Sequence, residues 1–168
     1  MPTATIQVAA VTSPDDWTLG AGADKVVAVN LPDDADTSYI HGTAEPSVEQ
    51  YSLEAHSIPV GSTINSVSAV GRVKGHSVAD PWFKLGVYLA GNSTLSATIT
   101  GTASYADYTK ALARPGGGAW SVADIAAVEV LIHQVTGLSA RFARCTSLYV
   151  VVDYTPPTDT GKMFLMFN

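Results

Sequence analysis

Charged residues are scarce in this chain of 168 residues. It has 9 Lys and Arg against 15 Asp and Glu, a net charge of −6 and a charged fraction of 14%, whereas soluble domains usually carry about 25%. Binding to nucleic acid depends on Lys and Arg contacts with phosphate, and no basic cluster is present, so we expect no direct nucleic-acid binding. The low charge has two interpretations: a surface covered by subunit contacts, or a Thr-rich β-surface with few charges.

The chain has a single cysteine and no long apolar run. Cys145 stands alone, so no internal disulfide can form. No segment reaches the about 18 apolar residues of a membrane helix, and the first residues lack the basic and apolar regions of a signal peptide. We therefore expect no membrane association, and synthesis and folding in a reducing cytoplasm.

Motifs for catalysis or cofactor binding are absent from the sequence. There is no Gly-x-Ser-x-Gly elbow, and the glycines at 116–118 are not followed by the Lys-Ser or Lys-Thr of a phosphate loop. The four histidines have no zinc-ligand spacing and are expected on the surface or at strand edges; they are His41, His56, His76 and His133. The sequence predicts no enzyme activity, no cofactor and no catalytic metal.

Two sets of acidic residues leave alternatives open. They are Asp33, Asp34 and Asp36, and Glu45, Glu49 and Glu54. Loop aspartates at alternate positions can bind calcium, but the EF-hand glycine and closing glutamate are missing, so a solvated turn is favoured. The glutamates could pair with an aspartate as glycosidase carboxylates, but the sequence places none of them in a common cleft.

Alternation of apolar and polar residues with period two dominates the chain and indicates half-buried strands. Candidate strands cover residues 5–11, 25–31, 49–57, 63–74, 82–89, 95–100, 105–112, 128–135 and 142–154. Turn residues separate them, and strands do not alternate with helices, so we predict an all-β, jelly-roll-like antiparallel β-sandwich of about eight strands. The residues expected to be buried between its sheets are Phe83, Leu85, Val87, Leu148, Val150 and Val152.

One short helix is predicted near residues 121–127. Ser121 is a suitable N-cap. Asp124 lies three residues later, where its carboxylate can accept hydrogen bonds from the free backbone N–H groups at the helix start. Trp120 precedes the cap, at the position where an apolar residue often packs onto the first turn. Period two resumes at Val128, so the helix should end before it. A single helix reaching Val135 is the alternative, disfavoured by its β-branched residues.

The end of the sequence predicts a separate segment. The β-sandwich domain should cover residues 1–155, followed at 156–168 by a Pro-rich linker and an apolar C-terminal arm. The arm contains the five residues that we predict to make an interaction: Met163, Phe164, Leu165, Met166 and Phe167. It could fold back onto its own sandwich, but docking on a neighbouring subunit is favoured, with addition to an exposed sheet edge as one mode.

Aromatic residues offer another function. Tyrosines and tryptophans on a β-sandwich can form a platform on which sugars stack, although packing in the core and at subunit contacts is favoured. The aromatic residues concerned are Trp17, Trp82, Trp120, Tyr39, Tyr51, Tyr88, Tyr105 and Tyr108.

Three segments together resemble a pattern in tailed-bacteriophage virion structural proteins. They are IPVGSTI at 58–64, GAWSVADI at 118–125 and LYVVVDYTPP at 148–157, in that order. The resemblance covers about residues 49–157 and implies a jelly-roll-like virion domain without enzymatic activity.

From the resemblance we expect a capsid decoration or minor capsid protein that stabilises a shell by contacts across neighbouring subunits. Its partners would be other virion structural proteins, above all the major capsid protein, and copies of itself in a homo-oligomer such as a trimer. It would be made in the host cytoplasm and reside in the virion. The alternatives are a tail or neck component, and a glycan-binding host-recognition module.

Overall fold

A computed structural model describes residues 1–30, 35–75, 81–135 and 142–158. The strands are β1 (Thr3–Asp15), β2 (Thr18–Ala21), β3 (Tyr39–His41), β4 (Ser47–Leu53), β5 (Thr63–Gly75), β6 (Trp82–Leu89), β7 (Asn92–Leu95), β8 (Ile99–Thr100), β9 (Ala106–Ala111), β10 (Glu129–Gln134) and β11 (Ala143–Thr155). The helices are α1 (Lys25–Asn30) and α2 (Val122–Ile125).

Without the short strands β2, β3 and β8, eight strands remain, and these eight pair in the order of a jelly roll. The first pairs with the last (β1 with β11), the second with the seventh (β4 with β10), the third with the sixth (β5 with β9), and the fourth with the fifth (β6 with β7), all antiparallel. Further pairing of β11 with β5 and of β10 with β6 assembles two sheets. One sheet, here called sheet A, runs β1–β11–β5–β9, and the other, sheet B, runs β4–β10–β6–β7. The predicted all-β, jelly-roll-like sandwich is confirmed.

A single apolar core lies between the sheets. The six residues predicted to be buried there are all completely buried: Phe83, Leu85, Val87, Leu148, Val150 and Val152. Phe83 of sheet B meets Tyr108 of sheet A edge to face, with 5.2 Å between ring centres. Gly71 of β5 leaves room for the Leu85 side chain, because a Cβ on residue 71 would lie 3.0 Å from Leu85 Cδ2. Period two therefore identified the core faces of β6 and β11 correctly.

The predicted short helix is confirmed with its capping box. Ser121 accepts a hydrogen bond from the backbone N–H of Asp124 at 3.2 Å, and the Asp124 carboxylate accepts one from the Ser121 N–H at 2.9 Å. The helix ends at Ile125, and β10 begins at Glu129. The alternative of one helix reaching Val135 is wrong, because the β-branched residues after Val128 continue as a strand.

Some strand predictions were wrong. Residues 25–30 form α1, because the Asp24 carboxylate caps the Val27 N–H at 2.8 Å and the Asp24 carbonyl accepts from Ala28. The predicted strand at 95–100 is two short strands, β7 and β8, separated by a turn. The strand predicted at 49–57 starts earlier and ends at Leu53. β2 and β3 were not predicted and add edge pairing to β11 in sheet A.

Candidate interaction surfaces and polar clusters

A groove lies beside the point where the described chain ends. The Asn65 amide donates to the Thr155 hydroxyl at 3.1 Å, which fastens the end of β11 to the start of β5. The groove begins there and has a volume of about 420 Å³, with walls formed by residues 64–66, 111–114 and 118–120. Its apolar part comes mainly from Ile64, Leu112 and Trp120.

The far wall of this groove is held by a network around Arg114. The Arg114 guanidinium bonds both oxygens of Asp124, at 2.9 and 3.0 Å, and donates to the carbonyl of Gly117 at 2.9 Å. Hydrogen bonds from Arg114 and the Ser121 cap hold the pKa of Asp124 well below its usual range. Trp120 Nε1 donates to the Leu112 carbonyl at 3.2 Å. Arg114 therefore connects the glycine loop at 116–118 to the start of the helix. All three loop residues have positive φ angles, which favour glycine over other residues.

Strand β9 forms an open edge of sheet A, since among the described residues it pairs with β5 alone. Its side chains alternate in a regular register. Tyr108 packs inward on Phe83, so Lys110, two residues on, belongs to the same inward face. A charge on the inward face of an edge strand is a device that disfavours addition of another strand.

Asp36, which lies shortly before β3, forms an ionic cluster with residues of β5 and β11. Its carboxylate accepts from Lys74 at 2.5 Å, from Arg144 at 2.9 Å and from the Tyr105 hydroxyl at 2.8 Å. Burial acts to raise the pKa of Asp36, but these hydrogen bonds outweigh it and lower the pKa to about 2. Asp36 lies in a bend and keeps 32% of its side-chain surface exposed, but its carboxylate is ion-paired as well as solvated; Asp33 and Asp34 lie outside the described residues.

Glu49 carries the most enclosed carboxylate of the described chain, with no exposed side-chain surface. It accepts from the Trp17 backbone N–H at 2.9 Å, and its Oε1 lies 3.1 Å from Lys25 Nζ, which also pairs with Asp15. Burial raises the pKa of Glu49 to about 7 despite these partners. The pKa of neighbouring Tyr51 is raised, first by burial and then by Glu49. Glu49 and Asp36 bind different partners, since Lys25 and Trp17 contact Glu49 whereas Lys74, Arg144 and Tyr105 contact Asp36.

A cleft of about 250 Å³ opens on the outer face of sheet B. Its lining residues are Pro14, Val48, Gln50, Tyr88, Ser93, Leu95, Leu131 and His133. The strand register arranges most of them in rows across the sheet. Glu129, Tyr88 and Ser93 form one row, and Gln50, Leu131, Gly86 and Leu95 form the next.

The described histidines are dispersed over the molecule. His41 Nδ1 lies 3.3 Å from the Gly42 carbonyl, His56 Nδ1 accepts from the Ile58 N–H at 3.2 Å, and His133 lines the outer cleft. His76 lies outside the described residues. Within the described ranges, no three His, Cys, Asp or Glu side chains are grouped as metal ligands would be.

The aromatic residues do not form one platform. Trp17 and Tyr51 are buried in the core, Tyr108 packs on Phe83, and Trp120 lines the groove beside β11. Tyr39 and Tyr105 lie beneath cations, with Arg144 Cζ 4.4 Å and Lys74 Nζ 4.6 Å from their ring centres. Only Tyr88 of the eight predicted residues lines the outer cleft, and Trp82 is exposed elsewhere.

No protein-family profile matches the chain, and no curated protein matches its sequence. No helix in the described ranges is both long and apolar enough to span a bilayer. The five arm residues of the sequence prediction lie outside the described residues, and the groove was not predicted. No local pattern in the sequence indicated it, because the approach of residues 64–66 to residues 111–114 depends on pairing of strands far apart in the chain.

Proposed function

We propose that this chain is a non-enzymatic virion structural protein, a capsid decoration or minor capsid protein. It would stabilise the shell by contacts across neighbouring subunits, in a homo-oligomer placed on the major capsid protein. The observation that carries the proposal is the apolar groove beside the point at which the described chain ends. The jelly-roll order and the low charge of the chain support the same function.

The groove suits the apolar arm in size and chemistry. Burying a large apolar side chain contributes roughly 1.5–3 kcal/mol before ordering costs are subtracted, so two or three residues of Met163–Phe167 seated in a groove would hold a subunit contact. The five-residue step from Thr158 to Met163 can span at most roughly 18 Å, which sets the greatest distance at which a receptor for the arm can lie.

The groove is a better receptor for the arm than the edge of β9. Strand addition would place a new backbone beside Lys110, whose charge belongs to the inward face of the edge strand. In the groove, the arm meets Ile64, Leu112 and Trp120 instead. We therefore assign the arm to the groove of a neighbouring subunit.

Two changes test this function from opposite sides of the contact. Deletion of residues 162–168 removes the arm, and Ala119→Arg places a large charge at an exposed wall of the groove. Both should abolish oligomerisation in light scattering and binding to particles in sedimentation, with the melting temperature of the domain unchanged. Ala127→Arg, at an exposed position that does not line the groove, is the matched control.

The outcomes separate the two destinations of the arm. If the deletion lowers the melting temperature and leaves association intact, the arm belongs to its own sandwich and the proposal is wrong. If neither change affects association, the arm and groove are not the contact.

A further inference from the structure

The outer cleft of sheet B has an apolar floor because β6 carries no side chain at Gly86. A side-chain carbon there would lie 2.6 Å from Leu95 Cδ2 and 2.9 Å from Leu131 Cδ1. The two leucines therefore extend over Gly86 from the strands on either side. Leu131 is nearly buried although it lies on the outward face, whereas Leu95 keeps 36% of its surface exposed. The result is a shallow apolar floor open to solvent.

Polar groups surround this floor. Tyr88 is half-buried and stands in the next row, paired across the sheet with exposed Ser93. On the other side are Gln50, which donates to the Glu129 carboxylate, and His133. Burial and the charge of Lys84 lower the pKa of His133, which keeps its ring neutral near pH 7. The rim thus offers an aromatic face, a hydroxyl, an amide and a neutral imidazole.

The size and charge of the cleft restrict its occupant. Pockets for drug-sized ligands have volumes of about 300–1,000 Å³, and this cleft has about 250 Å³. It therefore admits a single ring-sized group. No cation lines the floor, so a phosphate or carboxylate would gain little there. The lining combines an apolar floor with uncharged polar groups, while the charged Glu129 and Lys84 stand just outside it. This combination matches a neutral ring with one apolar face and hydroxyls at its edge.

We propose that this cleft binds one sugar ring of a neutral glycan, with the C–H face of the ring on Tyr88 and Leu95 and a hydroxyl bonded to Ser93, which pairs with Tyr88 across the two strands. The site lies on a different surface from the arm groove and does not depend on the assembly function. With this site, a structural subunit could bind to a surface that carries carbohydrate.

Nuclear magnetic resonance titration tests the proposal. The probes are glucose, galactose, mannose and N-acetylglucosamine, each added at millimolar concentration to the full chain. We expect at least one probe to shift the amide resonances of β6, β7 and β10 in a saturable manner. Tyr88→Ala should weaken that binding about tenfold, the equivalent of about 1.4 kcal/mol. Ser93→Ala, a small change at an exposed position, should weaken it several-fold.

The control is Tyr149→Ala, which removes a half-exposed tyrosine from the outward face of sheet A. It should leave sugar binding unchanged. The proposal is overturned if none of the four sugars shifts the cleft resonances, or if Tyr149→Ala weakens binding as much as Tyr88→Ala does. It is also overturned if dilution of the protein alone produces the same shifts, because the face would then be a contact between copies.

Discussion

Replacing Glu49 by glutamine should change how the stability of the domain depends on pH. Glu49 is completely buried, and its pKa is raised from 4.5 to about 7. The folded state therefore binds the proton more tightly than the unfolded state does. The stabilisation from this proton is fully present below pH 4.5 and is lost as the pH rises to about 7. Glutamine keeps the shape of the side chain and removes the titration.

The magnitude follows from the same two pKa values. Each pH unit between 4.5 and about 7 changes the free energy of unfolding by about 1.4 kcal/mol. Over the whole interval, the wild type should lose about 3 kcal/mol relative to Glu49→Gln. The pKa values of His41 and His133 are lowered, so these residues titrate near this interval, but they do so in both proteins and cancel in the difference.

Urea unfolding followed by tryptophan fluorescence at several pH values across this interval measures the effect. Glu54→Gln, at an exposed position one residue beyond β4, is the matched control and should follow the wild-type profile. Parallel profiles for wild type and Glu49→Gln would refute the reasoning. They would mean that Lys25, 3.1 Å from the carboxylate, keeps Glu49 ionised in the folded protein throughout.

Three further changes test the fold. Ser121→Ala removes the helix cap and should lower the free energy of unfolding by about 1 kcal/mol in urea titration, whereas an unchanged value would show that Asp124 and Arg114 hold the helix start alone. Leu148→Ala should cost roughly 2–5 kcal/mol in the same assay, since its side chain is completely buried; a loss well below this would mean that the core collapses around the site. Asp36→Asn should make the domain less stable near neutral pH and remove the part of its acid sensitivity that arises as the pH falls through about 2, as followed by circular dichroism.

Local patterns in the sequence predicted much of the sandwich. The buried faces of β6 and β11 follow from the period-two spacing of their large apolar residues, and Ser121 with Asp124 specifies the cap by short-range hydrogen bonds. The helix α1 was missed because Val26 and Val29 favour a strand, although Asp24 was its visible N-cap.

The polar clusters could not be predicted in the same way. The partners of Asp36 and Glu49 come from strands and loops far along the chain, as Lys74 and Trp17 show. A carboxylate in a polar-looking stretch is ordinarily expected in solvent, so its burial becomes visible only when the strands are paired. The outer cleft is similar, because the absence of a side chain at Gly86 matters only once Leu95 and Leu131 lie on either side of it.

Strand β1 belongs to both sheets, and this has a consequence for how the protein is made. Its first half pairs with β11, where Ile6 lies opposite Val150, and its second half pairs with β4, where Val11 lies opposite Tyr51. On the ribosome, the β4 partner emerges early and the β11 partner emerges much later. The first half of β1 therefore cannot make its native pairing until β11 has left the exit tunnel, so the sandwich cannot be completed before that strand is synthesised.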